Sequence, residues 1–472
     1  MIWITAIQSH PLTFRWTFVA PFTGWSSGLT LRADKLALAI LIPTLHLGEK
    51  YMLSFVRCLS FVACGWLLLI STAVTADGIL TDEEQEFHNG LLVLDSHVDI
   101  PVNFSTPVID PARWQRQQVD VPKMTAGGMD AAFFIVYVDQ SYRNAWEYAA
   151  VKEAALNKFR AIHRMTDQLP GKIEFATTAS DIRRITSNGK HAILIGIENG
   201  FAIGQDLNLL RDYFQLGARY MTLVHNGHND IGDSAQPQER FGDQEEEHKG
   251  LSTFGKDVVR EMNRLGMIVD VSHASKNTMM DAVTHSAAPV IASHSAVSAL
   301  VEHARNIDDE QLELLKKTGG VIQIAAVDDF LRSDAQGIFE AIEVVRKEFG
   351  LYTYDMDRIV NGDIYTEYHR RLESDVYSKI PRATVKHLVD HIDYVVEKIG
   401  VDHVGLASDF DGDAGIVGWD NAAETANVTK ELMRRGYSDS DVAKIWGENL
   451  LRVMTKVEEI ALQLQAQDAA PR

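Results

Sequence analysis

The chain is expected to fold as an α/β protein, a (β/α)8 TIM-type barrel, and two features of its sequence lead there. Eight short apolar runs, at residues 91–94, 131–138, 192–197, 220–224, 267–271, 289–292, 320–326 and 403–407, are separated by segments with helical spacing. Runs that are apolar almost throughout suit a parallel sheet covered by helices on both faces. The second feature lies at the ends of these runs. His97, Asp99, Glu198, His225, His273, His294 and Asp409 stand at or just past their C-terminal ends, the face at which barrels gather reactive groups from several strands at once.

The first run continues as Leu94-Asp95-Ser96-His97-Val98-Asp99. Residues two apart on a strand point the same way, so His97 and Asp99 can grip one ion together. Segment 145–166 spaces its apolar residues like a helix, 254–265 carries Phe254, Val258, Val259, Met262 and Leu265 on one face, and 386–399 repeats the pattern. Gly266 and Gly400 follow two of these as C-terminal stops. Glu198 and Asn199 close the third run, His225 the fourth, His273 the fifth, His294 the sixth and Asp409 the last. Two longer connections stand out: 226–250, whose Glu245-Glu246-Glu247 run reads as a solvated loop, and 328–382, rich in charge and tyrosine. Long excursions at this face are usually lids or pocket walls. His228, Asp230 and Asp233 read as loop polar groups, His285 and His303 as structural, and Asp411 as part of a turn before Gly412. Asp270 reads either as an ordinary buried carboxylate or as a group that orients a ligand histidine.

The net charge of −20 over 472 residues argues against a nucleic-acid backbone or an anionic membrane as partner. From Met52 the chain runs through Arg57, an apolar stretch at 58–70 and the small residues Ser71-Thr72-Ala73-Val74-Thr75-Ala76, the layout of a secretory signal. The expected organisation is an over-extended N-terminus at 1–51, a signal peptide at 52–76 and one barrel domain at 77–472. The expected location is secreted or periplasmic without stable membrane insertion, an uncleaved membrane anchor being the rival. Cys58 and Cys64 both lie in the signal segment, so the processed chain has neither disulfides nor thiolate ligands.

A set of histidines and carboxylates without cysteine suits zinc or a similar ion, and a carboxylate such as Glu198 can bridge two ions about 3.5 to 4 Å apart. That is hydrolytic chemistry, most naturally on an amide. The motifs Asp95-Ser96-His97-Val98-Asp99, Ile197-Glu198-Asn199-Gly200, Tyr220-Met221-Thr222-Leu223-Val224-His225, Asp270-Val271-Ser272-His273, Ala292-Ser293-His294-Ser295, Arg305-Asn306 and Ser408-Asp409-Phe410-Asp411-Gly412 resemble those of the membrane (renal) dipeptidase family, zinc dipeptidases of the amidohydrolase superfamily. They run in order from about residue 92 to 449. The resemblance implies the same barrel, with two zinc ions at the C-terminal face: His97 and Asp99 on one, His273 and His294 on the other, and Glu198 bridging them. It implies that Asp409 takes a proton from the bridging water, leaving a metal-bridging hydroxide, and passes that proton to the leaving amine. His225 would orient or polarise the scissile carbonyl, and Arg305 would hold the substrate's C-terminal carboxylate.

The expected activity is zinc-dependent hydrolysis of dipeptides, including those with a C-terminal D-residue. The alternatives are a related amidohydrolase acting on a cyclic amide, lactone or deaminase substrate, and a non-catalytic barrel used for binding. Many of the superfamily carry H-x-H on the first strand and a carbamylated lysine as bridge, where this chain has His97-Val98-Asp99 and Glu198. A homodimer, as the resemblance implies, would be non-covalent. Family members usually have Gly and Asn where this chain has Ser96 and Val98, and often Gly-Gly where it has Asn199-Gly200. The run Gln323-Ile324-Ala325-Ala326-Val327 lacks the Asn-Phe pair common there, which leaves substrate preference open.

Overall fold

The computed structural model describes residues 81–351 and 360–469. The segments expected to be an over-extended N-terminus (1–51) and a signal peptide (52–76), with Cys58 and Cys64, lie outside the described residues. Eight parallel strands pair side by side: β1 (Leu94–Asp99), β2 (Ala131–Tyr137), β4 (His191–Glu198), β5 (Ala218–Thr222), β6 (Ile268–Asp270), β7 (Ile291–Ser295), β8 (Val321–Ala325) and β9 (Val404–Ala407). The ring closes where Val98 bridges Phe410: the Asp99 N–H donates to the Phe410 carbonyl at 2.8 Å and the Asp409 N–H to the His97 carbonyl at 3.1 Å. Helices fill the connections, so the fold is the (β/α)8 barrel that the apolar runs predict. A ninth strand, β3 (Ile173–Phe175), pairs only with β4; of its three residues only Ile173 is buried, too short an apolar signal to stand out in the sequence.

The alternation along β4 explains how a wholly apolar run delivers a carboxylate. Ala192 and Leu194 belong to a cluster with Leu94, Phe133, Tyr220, Ile268, Ile291 and Val321, one side chain from each of several strands, which places that cluster inside the barrel. Ile193, Ile195 and Ile197 pack instead with residues of the surrounding helices, among them Phe159 and Ile162. Two-residue periodicity then sends Glu198 inward, at the end of the strand. Gly196, between Leu194 and Glu198 on the inner face, has no side chain because the Tyr220 ring occupies that space: a Cβ there would sit 2.3 Å from Tyr220 Cζ.

On β1 the alternation is broken, which the sequence does not reveal. Leu94 pairs with Ala131 and Asp99 with Ile135, but the register shifts between Asp95 and Val98. The additional residue turns Asp99 to the inner face that Leu94 already occupies. β7 carries a similar shift between Ala292 and Ser295, the segment that holds His294. Bulges of this kind re-aim side chains next to reactive sites.

The helices follow the expected spacing, at Ala145–Gln168, Thr253–Leu265 and Val385–Ile399. The Asn144 side chain accepts from the N–H groups of Trp146 and Glu147, and that of Ser252 from Gly255. Gly266 ends its helix at φ 88°, left-handed backbone that favours glycine. Among the described residues no helix is long and apolar enough to cross a membrane.

Both insertions are built structures. In 226–250 the Asp233 carboxylate accepts backbone N–H groups from Glu247, His248 and Gly250. Glu247, which the sequence presents as solvated, is clasped by both guanidinium nitrogens of Arg143 at 2.7 and 2.6 Å. The 328–382 segment forms helices at Asp328–Leu331, Ile338–Glu348 and Gly362–Arg371, with a small core of Ile338, Val345, Leu351, Tyr368, Leu372 and Val376.

Gly196→Ala should lower unfolding free energy by about 1–3 kcal/mol, because the Tyr220 ring has no free space to retreat into. Urea unfolding followed by circular dichroism measures this; an unchanged midpoint would show that the barrel interior yields at this point.

Candidate metal centre and active site

The seven polar residues picked out at the strand ends meet at one mouth of the barrel. His97 and Asp99 lie within β1, Glu198 ends β4 and His294 lies within β7, whereas His225, His273 and Asp409 stand in the turns just past β5, β6 and β9. His273 and Asp409 adopt positive φ, 64° and 58°. That conformation is sparsely populated for residues other than glycine and recurs where side chains must be aimed.

Glu198 is the centre of the arrangement. Its Oε1 lies 3.1 Å from His273 Nε2 and 3.2 Å from His294 Nε2, and its Oε2 lies 3.6 Å from His97 Nε2. Asp99 and Asp409 approach the same His97 nitrogen at 3.6 and 3.7 Å. The donor atoms form three overlapping groups, each within 4.8 Å: His97, Asp99 and Glu198; Glu198, His273 and His294; and His97, His294 and Asp409.

All three of these imidazoles are held in one way. The Tyr220 hydroxyl donates to the Ser96 carbonyl at 3.0 Å and so accepts from His97 Nδ1 at 2.9 Å. The Ser293 hydroxyl donates to Asp270 at 2.6 Å and so accepts from His294 Nδ1 at 2.9 Å. His273 Nδ1 donates to the Asn226 side-chain oxygen at 3.0 Å. In each ring Nδ1 carries a hydrogen and Nε2 faces Glu198, the orientation that leaves Nε2 as the atom a metal would take, on His97 in place of a proton.

Burial first, then the charge on Arg305 for His273 and on His97 for His294, holds those two rings well below the usual imidazole range. Burial opposes a charge on His97 as well, but Glu198, Asp99 and Asp409 override it and hold this ring well above. A positive charge is thus demanded at its Nε2. Burial, with Asp99 and Glu198 adding to it against the pull of His97, pushes the Asp409 carboxyl up to about 8.

The donor set fits divalent ions. His97 Nε2 and Asp99 Oδ1 are buried atoms without a hydrogen-bond partner. The Nε2 atoms of His273 and His294 face each other at 2.9 Å. A cation among them removes the mutual repulsion of lone pairs and carboxylates, and the lack of thiolates suits zinc or another ion that accepts nitrogen and oxygen.

His225 and Arg305 flank the cluster. The His225 ring lies 4.1 Å from that of His273, edge-on to Tyr137, with its Nε2 4.0 Å from Glu198; burial holds it neutral. One guanidinium nitrogen of the buried Arg305 donates to the His294 carbonyl at 3.3 Å, and the other, Nη1, has no partner. Burial lowers this group to about 10. A pocket of about 440 Å³ opens over the site, walled also by Tyr137, Asp139, Gln236, His303, Asp329, Phe330, Phe339 and Glu340. A larger cleft of about 720 Å³ near Pro289 and Gly319, before β7 and β8, has no histidine in its lining.

Of the remaining sequence candidates, Asp270 orients a histidine of the cluster, but it is His294, through Ser293, and not the nearer-in-sequence His273. His228 accepts from the Ser234 N–H, and Asp230 accepts from Tyr148 and Gln205. Asp411 accepts from the Gln118 N–H and ties down the 118–119 loop. His303, expected to be structural, lines the pocket. The sequence does not mark Tyr220, Ser293 and Asn226 as positioning residues; all three lie inside or next to the recognised motifs, but Tyr220 and Asn226 act on rings from elsewhere in the chain, and Ser293, next to His294, is fixed by Asp270 of another strand, which no single segment shows.

Fold and site together define a metal-dependent hydrolase on a (β/α)8 barrel. The sequence profile of the membrane dipeptidase family, peptidase family M19, matches residues 81–468, and the chain belongs to that family. It is 31% identical over 401 residues to dipeptidase tcpJ of Claviceps purpurea, covering 82% of this chain and 81% of that one. It is 34% identical over 353 residues to dipeptidase aclJ of Aspergillus oryzae, covering 74% and 72%. Among solved structures it resembles the probable dipeptidase PvdM from Pseudomonas aeruginosa, with TM-score 0.69, 32% identity, and 80% and 98% of the two chains covered. Membership makes the protein a metallo-dipeptidase of the hydrolase class.

Elemental analysis of purified variants should separate holding a metal from orienting its ligands. Glu198→Gln should lose most bound divalent metal. Tyr220→Phe, which removes the acceptor of His97 Nδ1 together with the donor to the Ser96 carbonyl, should weaken binding by about 10- to 100-fold in a chelator competition; full retention in Glu198→Gln would contradict a bridging carboxylate.

Proposed function

We propose that the protein hydrolyses the peptide bond of small dipeptides, those with a C-terminal D-residue included, with two zinc ions per chain. The observation that carries it is Glu198 set between His97 on one side and His273 and His294 on the other. His97 and Asp99 would hold one ion, His273 and His294 the other, and Glu198 both. Bound there, zinc supplies Lewis acidity and makes water acidic enough to attack an amide near neutral pH.

The chain's own groups account for the rest. Arg305 Nη1, buried and unpartnered, takes the substrate's C-terminal carboxylate, where a guanidinium fork makes strong charge-assisted bonds. His225, neutral and beside the His273 ring, donates from Nε2 to the scissile carbonyl. Asp409 Oδ1, 3.7 Å from His97 Nε2, would be ionised by the positive charge of the bound ions, which opposes the burial that raises it, and in that form takes the proton of the attacking water and returns it to the leaving amine. The segment at 52–76 acts as a secretory signal, which sends the barrel out of the cell or into the periplasm; N-terminal sequencing of the exported protein checks it.

Asp409→Asn should reduce kcat on an alanine dipeptide by at least about 100-fold, with zinc content near that of the parent; loss of zinc instead would make Asp409 a ligand. Arg305→Ala should raise KM about 10- to 100-fold for free dipeptides and much less for their C-terminal amides. A zinc-loaded parent that cleaves no dipeptide in an L-L and L-D panel would overturn the assignment.

A further inference from the structure

The pocket wall beyond Arg305 is supplied by the start of the 328–382 insertion. Phe330 lies 5.2 Å from the Arg305 guanidinium and 4.8 Å from the His303 ring. Asp329, Phe339 and Glu340 complete this side. Asp329 is 6% exposed, and its Oδ1 is buried without a hydrogen-bond partner. Its Oδ2 faces His303 Nε2 at 3.7 Å, but burial, then the Arg305 charge, lowers His303 to about 4, so that ring brings no positive charge. Among the described residues no lysine or arginine stands within ion-pair distance of Asp329. Burial, followed by the Glu340 charge, pushes its carboxyl up to about 7. A buried carboxylate oxygen left unpaired is costly, and the Asp329 side chain that carries it stands in the wall of the substrate pocket.

We propose that Asp329 and Glu340 form a subsite for the cationic side chain of the substrate's C-terminal residue, so that dipeptides ending in lysine or a similar alkylammonium are preferred. The assignment of the side chain to this wall rests on the dipeptidase function above, in which Arg305 anchors the terminal carboxylate: a residue anchored there has its side chain beside Phe330. The methylene stem lies along Phe330 and Phe339, as such stems do on apolar surface, and the ammonium donates to Asp329 Oδ1 with Glu340 at the rim. The chain lacks the Asn-Phe pair usual at the end of the preceding strand; Asp329 follows that strand closely, and Glu340 comes from the helix Ile338–Glu348 beyond it.

Alanyl-lysine and alanyl-norleucine share a stem and differ in the ammonium; lysyl-alanine and norleucyl-alanine place the same difference at the other position. For the zinc-loaded protein, kcat/KM for alanyl-lysine should exceed that for alanyl-norleucine by about 10- to 100-fold. The ratio should fall towards one in Asp329→Asn and decline in Glu340→Gln, whose exposed position makes misfolding no explanation. A lysine preference confined to the first position, or a ratio unmoved in both variants, overturns the subsite. Calorimetric titration of the parent with free lysine and free norleucine reads the subsite without turnover. Tighter lysine binding that is lost in Asp329→Asn, in a protein that cleaves none of the peptides, would sink the dipeptidase function and leave the subsite standing; equal binding of the two amino acids would sink the subsite.

Discussion

One buried carboxylate between three imidazoles sets the terms for this molecule. Glu198 is 4% exposed, too deep for water to solvate, and removing a charge from water costs several kcal/mol unless it is paired and hydrogen-bonded. Of its three imidazole partners only His97 is held in the charged form, while His273 and His294 are kept neutral by the same burial. That one ring faces three carboxyl groups, Glu198, Asp99 and Asp409, a cluster that a divalent cation suits. Without such an ion the cluster is a liability in the barrel; with it, the same atoms become the best-connected part of the protein.

The rest of the barrel mouth serves to keep those atoms aimed. Each imidazole of the cluster spends its Nδ1 hydrogen on a fixed oxygen: His97 on Tyr220, His294 on the adjacent Ser293 backed by Asp270, and His273 on Asn226. Asp270 receives four hydrogen bonds, from the Thr222 hydroxyl, the Ser272 and Ser293 N–H groups and the Ser293 hydroxyl. The network joins β5, β6 and β7 just beneath the site, so ring orientation is set by the barrel's own geometry. Gly196 belongs to this design, since its missing side chain is what lets the Tyr220 ring cross to His97.

The barrel was legible in the sequence because parallel strands buried on both faces leave apolar runs that chemistry alone explains, and the cluster of histidines and carboxylates at its mouth because every member follows such a run. Strand limits were less legible: the run at 91–94 predicts where β1 begins but not that Leu94–Asp99 is the strand, since its polar residues Asp95, Ser96 and His97 are buried by partners hundreds of residues away. The bulges at His97 and His294 leave no local mark, because a register shift is a relation between two strands. The same holds for His303, Asp329 and Glu340, ordinary polar residues until the 328–382 segment folds back over Arg305.

Closure of the barrel has a consequence for how the protein is made. The β1–β9 seam, where Asp409 and Phe410 bond to His97 and Asp99, joins some of the earliest-made barrel residues to some of the last. On the ribosome His97 and Asp99 emerge long before Phe410 does, and pairing so distant in sequence is slow because loop closure precedes its reward. A nascent chain therefore carries exposed ligands and two unjoined strand edges until nearly all of it has been synthesised. The mouth of the barrel is complete only once this seam has closed, because Asp409 itself stands on the last strand's side of it.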